Sequence, residues 1–172
     1  MAILRIRKLG DPVLREKARP VERFDGSLRR LADDMLETMY AAPGVGLAAS
    51  QVGVSLRLFV YDDGEGNTGV VANPVLSDLE AEERRDEGCL SIPGPFYPTV
   101  RSLRATVRGV DLEGRPIELE GDGLLARIFQ HETDHTDGVL YIDRLPPDGR
   151  REVMRMLREH EVRQQQERTP AP

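Results

Sequence analysis

Two histidines four residues apart, in His131-Glu132-Thr133-Asp134-His135, constrain this chain more than any other feature. On a helix, positions i and i+4 share one face with Cβ atoms about 5–6 Å apart, a separation that one metal ion can bridge. Leu124 and Ile128 precede the pair at helical spacing, so both imidazoles fall on the same stripe as aliphatic side chains and should face inward. Burying imidazole nitrogens without partners costs about 1–3 kcal/mol each, and a metal ion removes that cost. The fold must therefore bury this helix and bring a further ligand to it. Glu132 stands beside the ion without having to bind it, where a carboxylate can take the proton of a metal-activated water. The bland alternative is a satisfied histidine pair with Glu132 solvated, in a chain of 172 residues that has only three histidines.

The same periodicity organises the rest of the chain. The histidine helix is expected to start near Asp122 and to run to Gly138, which is placed to end it. Leu28, Leu31, Met35, Leu36 and Met39 predict a helix over 27–41, with Asp25 or Ser27 as cap and Pro43-Gly44 as stop. Strands are expected at 56–61 and 70–71, joined by the turn-forming run 62–67, and again at 103–110 and 117–119 around Glu113-Gly114. Pro93, Pro95 and Pro98 keep the stretch after Cys89 extended or looped. Val153, Met156 and Leu157 mark a final packing helix from Asp148 to about Gln166, and Thr169 to Pro172 should be disordered.

No repeat or low-complexity linker divides the sequence, so residues 1–168 read as one domain, large enough to bury about 70% of its unfolded surface. A single cysteine, Cys89, rules out an intrachain disulfide and fits a reduced cytoplasm, leaving the thiol available for other chemistry. The first residues meet charge before any apolar run, and no stretch of about 18 apolar residues follows, so the sequence reads as soluble and non-exported, with no membrane partner. A net charge of −6 with interspersed signs argues against nucleic acid as the main ligand.

A catalytic site of this kind offers three protein ligands and keeps one position for water, so one ligand remains to be found. A large protease group extends the motif to His-Glu-x-x-His-x-x-Gly-x-x-His; this chain follows it through Gly138 and then has Tyr141 in place of the last histidine. Another group takes a glutamate from a following helix, for which Glu152 or Glu159 could serve, but both stand in a charge-rich segment where solvated carboxylates are the rule. Cys89 is the better candidate. A lone cysteine is ordinarily a small buried hydrophobe. Here it follows Gly88, which permits close approach, precedes a proline-stiffened turn at Pro93, and supplies a thiolate suited to divalent transition metals.

These residues resemble the peptide deformylases. The resemblance rests on three blocks in the family's order: Gly44-Val45-Gly46-Leu47-Ala48-Ala49-Ser50-Gln51, Glu87-Gly88-Cys89-Leu90-Ser91, and Gln130-His131-Glu132-Thr133-Asp134-His135 with Gly138. It extends from Gly10-Asp11-Pro12-Val13-Leu14-Arg15 to Asp122-Gly123-Leu124-Leu125-Ala126, and so spans nearly all of residues 1–145. Thr136 departs from it, standing where the family usually has leucine. The glycine block alone would be weak, since Gly44-x-Gly46 could be an ordinary loop, and no Gly-Lys-Ser/Thr follows to make a phosphate cradle.

The resemblance implies an α+β fold with antiparallel β-sheets packed around the metal-binding helix and a C-terminal helix. It implies hydrolysis of the formyl group from newly made polypeptides that begin with formylmethionine, releasing formate. Cys89, His131 and His135 would hold one divalent ion, and Glu132 would shuttle the water's proton to the departing amine. Gln51 and the backbone N–H of Leu90 would stabilise charge on the formyl oxygen. Val45, Gly46 and Gly88 would pair with the peptide backbone, while Leu124 and Ile128 line the methionine pocket. The family points to Fe2+, although Cys-His-His donors also suit Zn2+, Ni2+ or Co2+. It also has a transient ribosome contact through the last helix. A zinc endopeptidase and a non-catalytic metal-binding domain remain the competing readings.

Overall fold

The computed structural model describes residues 2–168, so the disorder expected for 169–172 lies outside the described residues. Helix α1, Gly26–Ala41, begins where Asp25 accepts the backbone N–H groups of Ser27 at 2.9 Å and Leu28 at 3.4 Å. This caps donors that the first turn cannot satisfy internally. Five strands follow: β1 Gly46–Ala48, β2 Leu58–Asp62, β3 Thr68–Cys89, β4 Ile92–Val110 and β5 Pro116–Asp122. They form one antiparallel meander in the order β1-β2-β3-β4-β5. Helix α2, Gly123–Thr136, carries the two histidines and ends just before Gly138, whose φ of +74° stops it. Helix α3 spans Pro147–Arg168.

Strands β3 and β4, at 22 and 19 residues, are much longer than the sequence suggests. Charge recurs at almost every position from Asp78 to Asp86, so no apolar alternation marks this run as strand. Its backbone nonetheless pairs with β4, as Glu80 with Arg104, Glu83 with Arg101 and Arg85 with Thr99, while most of its side chains stay in water. Register shifts between Ala72 and Val75, Ser77 and Glu80, and Glu87 and Cys89 mark bulges. Bulges bend a sheet, and this one curves until α2 touches every strand.

The core has three parts that together hold the site. One packs α1 on β1 and β2 through Leu28, Met35, Met39, Leu47 and Val60. A second packs Phe59, Tyr61 and Val107 of the sheet on Ile128 and Phe129 of α2, with the Tyr61 and Phe129 rings edge-on at 5.3 Å. Burying a side chain such as Phe129 contributes about 1.5–3 kcal/mol, which anchors the helix against the sheet. The third joins Cys89 and Ile92 to Leu140, Tyr141 and Ile142, with Val153 and Leu157 of α3 behind them. No helix among the described residues is long and apolar enough to cross a membrane.

Candidate metal centre

Residues 126–136 of α2 are all buried, polar ones included, because sheet and loops cover the helix on every side. His131 and His135 project from it toward Cys89, the last residue of β3, where the strand turns into β4. The Nε2 atoms of the two histidines are 3.2 Å apart, and Cys89 Sγ lies 3.3 Å from His135 Nε2. One donor atom from each of the three residues lies within 4.8 Å of the others. Ligands about 2.0–2.3 Å from a shared tetrahedral centre stand roughly 3.3–3.6 Å apart, so the observed edges fit a single ion. Two imidazole lone pairs facing each other beside a sulfur repel unless a proton or a cation lies among them. The donor set therefore suits a divalent metal.

Glu87 fixes the inner face of that set. Its Oε1 accepts His131 Nδ1–H at 2.6 Å, which leaves Nε2 free as a ligand and orients the ring. Arg101 grips the Glu87 carboxylate twice, from Nε at 3.1 Å and from Nη2 at 2.7 Å, and Arg127 Nη1 adds a third contact at 2.7 Å. Arg101 also reaches Asp134 at 2.6 Å, and Arg144 holds Asp134 with two further bonds. Burial alone would raise the Glu87 carboxyl, but His131 and Arg101 outweigh it and hold it well below the usual range. Burial would likewise strip the proton from His131, yet Cys89 and Glu87 pull its pKa up. Burial and the neighbouring His131 charge push His135 down. The Glu87 carboxylate and the Cys89 sulfur thus flank one imidazole pair, a place that favours a cation.

Glu132 sits one residue from the ligand face, 3% exposed, with Oε2 lacking a protein partner among the described residues. Burial pushes its carboxyl up to about 7. A Cβ on Gly46 would lie 2.4 Å from Glu132 Oε1, so only glycine lets β1 come this close to the carboxylate. Gln51, in the single turn after β1, donates through Nε2 to Ser91 Oγ at 3.1 Å and to Cys89 Sγ at 3.5 Å. Its Oε1 accepts Ala48 N–H at 2.9 Å, which fixes the amide's orientation.

A cavity of about 610 Å³ opens onto this centre. It is lined by Val45, Gly46, Gln51, Gly88, Cys89, Leu90, Leu124, Ile128, His131 and Glu132, all of them singled out from the sequence. His135 lies behind that lining, 1% exposed. The endopeptidase ligand candidates are excluded by position: Glu152 and Glu159 both pair with Arg155 on the outer face of α3. Tyr141, in the place of the protease histidine, stacks on His131 with ring centroids 6.4 Å apart.

The sequence reading missed Arg101, Arg127 and Asp134, although Arg127 stands four residues before His131 on the same inward stripe. A charge at that position was the available signal. Also missed were Lys8, whose Nζ donates to the Leu90 carbonyl at 2.8 Å, and Phe96 at the cavity rim.

A soft-and-borderline donor triad beside a buried carboxylate with one oxygen unpartnered among the described residues, at the floor of an open cavity, is an arrangement of the metallohydrolase class. The chain belongs to the polypeptide deformylase family, whose sequence model matches residues 3–151. It is 56% identical over 161 residues to the peptide deformylase of Acidothermus cellulolyticus, a match covering 94% of this chain and 89% of that protein. Among solved structures, a peptide deformylase from Legionella pneumophila superposes with a TM-score of 0.90 at 45% identity, covering 98% of this chain and all of that one (100%). The peptide deformylase of Thermus thermophilus gives 0.87 at 49% identity, covering 96% and 99% of the two chains.

Proposed function

We propose that residues 1–168 act as one catalytic domain that removes the N-terminal formyl group from formylmethionine of newly made polypeptides, in the cytoplasm where they are made. The observation that carries this is the convergence of Cys89, His131 and His135 within 4.8 Å, beside a buried Glu132. Those three residues would hold one divalent ion, Fe2+ by the resemblance of the motifs, with Zn2+, Ni2+ and Co2+ suited to the same donors. When bound, such an ion lowers the pKa of water toward neutrality and polarises a carbonyl.

The chain's own residues do the rest. Glu132 accepts a proton from the attacking water and delivers it to the amine nitrogen as the formyl C–N bond breaks, giving formate and a free N-terminus. Negative charge gathering on the formyl oxygen is met by Gln51 Nε2 and the Leu90 backbone N–H. Strand β1 pairs with β2 on one side only, which leaves an edge beside the cavity for an extended peptide to pair with Val45 and Gly46, and with Gly88 across from them. Leu124 and Ile128 receive the methionine side chain. Part of the same proposal is a transient ribosome contact through α3.

Formate release from a formylmethionyl peptide, with internal cleavage of the same peptide measured in parallel, tests this function. Stoichiometric formate with the peptide bonds intact is expected. Internal cleavage without formate would instead establish an endopeptidase.

A further inference from the structure

Residues 7–9 cross the two segments that carry the proposed donors to the formyl oxygen. The Arg7 N–H donates to the Gln51 carbonyl at 2.7 Å, and the Leu9 N–H donates to the Ser91 carbonyl at 2.9 Å. These bonds fix the register of the N-terminal chain. Between them the Lys8 side chain reaches Leu90, where Nζ donates to the carbonyl at 2.8 Å. The two segments are also joined directly, Gln51 Nε2 to Ser91 Oγ at 3.1 Å. Three consecutive residues thus tie the Cys89-Leu90-Ser91 turn to Gln51. Lys8 adds an uncompensated charge to this brace. Of the lysine and arginine side chains that line the cavity, Arg127 is held by Glu87 and Glu83, whereas the one bond of the Lys8 side chain among the described residues goes to the Leu90 carbonyl.

We propose that Lys8 is a positioning residue for deformylation, holding Leu90 so that its N–H meets the formyl oxygen and adding positive charge beside it. The inference rests on the deformylase function above. The N–H and C=O of one residue are no more than about 4 Å apart, which puts the Lys8 ammonium within roughly 7 Å of the Leu90 N–H. That lies inside the Debye length of about 8 Å at physiological ionic strength, so salt does not erase its field there. Charge gathers on the formyl oxygen only as water adds to the carbon. Lys8 therefore contributes more to the transition state than to the bound substrate, and its effect belongs in kcat rather than in KM. Removing a donor to such an oxygen costs about 10²–10³ in turnover, and losing the side chain that holds the donor should cost less, about tenfold.

The test compares wild type, Lys8→Met and Lys8→Arg, each loaded with Co2+. Formate release from one formylmethionyl peptide, cobalt content and melting temperature are measured on the same preparations, with kcat referred to bound cobalt. Lys8→Met should lose about tenfold in kcat with KM within about twofold. Its cobalt content and melting temperature should match the wild type, because Lys8 is exposed. Lys8→Arg keeps a cationic donor and should stay within about threefold of the wild type. At about 1 M salt the gap between wild type and Lys8→Met should narrow, since a Debye length of about 3 Å screens the charge. A merely structural role would lower the melting temperature or the cobalt content and would show no such split between kcat and KM. Equal kcat in wild type and Lys8→Met, a loss that vanishes when rates are referred to bound cobalt, a change confined to KM, or a Lys8→Arg as slow as Lys8→Met would overturn the positioning role. No formate from the cobalt-loaded wild type would instead overturn the deformylase function itself.

Discussion

Glu87→Gln should weaken this protein in two separable ways, because one carboxylate balances Arg101 and Arg127 while orienting His131. Removing one partner from a buried ion pair costs about 3–5 kcal/mol, since the remaining charges stay buried without compensation. Arg101 keeps Asp134, but among the described residues the one carboxylate left to Arg127 is Glu83, at 3.8 Å, beside the Thr99 and Glu83 carbonyls. For a chain of this length that loss corresponds to roughly 10 °C in melting temperature. The amide offers one acceptor oxygen where four donors, from His131, Arg101 and Arg127, now meet two, so the hold on the His131 ring weakens, and partners of this kind are worth about 10–100-fold in metal affinity. Calorimetric melts of the metal-free protein read the first effect, and titration with a competing chelator reads the second. The pH dependence follows from the sign of the shift. The folded Glu87 carboxyl lies below its ordinary value of 4.5, so its stabilisation is present above that pH and is lost as pH falls further. The gap between wild-type and variant melting temperatures should therefore close below about pH 4.5. A variant that melts within 2 °C of the wild type at pH 7 and binds metal equally well would refute the role given to Glu87, where roughly 10 °C is expected.

Three further outcomes follow from the geometry. Gly46→Ala places a Cβ 2.4 Å from Glu132 Oε1, so the carboxylate must move; kcat should fall by at least about 100-fold, as a displacement near 1 Å does at a catalytic group, with the melting temperature nearly unchanged. With Gln51 as the proposed donor to the formyl oxygen, Gln51→Leu should lower kcat by about 10²–10³ with little change in KM, as steady-state formate assays would show. Burial pushes the Glu132 carboxyl up to about 7, and a bound dication pulls it back. Because the base proposed for Glu132 works ionised, kcat/KM should fall as pH drops through a value below 7, and an acid limb centred above pH 7 would contradict that role.

The metal helix was legible because its pattern is local: Leu124, Ile128, His131 and His135 fix the buried stripe without reference to anything else. The placement of Cys89 beside the histidine pair was legible by chemistry, since it is the only thiol in the sequence. The α1 helix and its Asp25 cap were likewise written in consecutive residues. What stayed hidden depends on long-range pairing. The charged run 78–86 pairs its backbone with β4 while its side chains remain solvated, so neither alternation nor hydrophobicity marks it as strand. Arg101 is separated by 33 residues from Asp134 and by 14 from Glu87, and buried arginines look like surface ones until the fold brings their carboxylates to them. Thr133 lies across α2 from the histidine stripe yet is buried, because the curved sheet and its loops leave residues 126–136 no solvent side.

Metal content and formate release, measured on the same preparations of wild type, Cys89→Ala and Glu132→Ala, test the division of labour at this centre most directly. The account predicts that Cys89→Ala loses both the metal and activity, while Glu132→Ala retains about one ion per chain yet loses at least about 100-fold in turnover, as removal of a general base does. Wild-type turnover of a formylmethionyl peptide by Glu132→Ala, or full metal occupancy in Cys89→Ala, would contradict it.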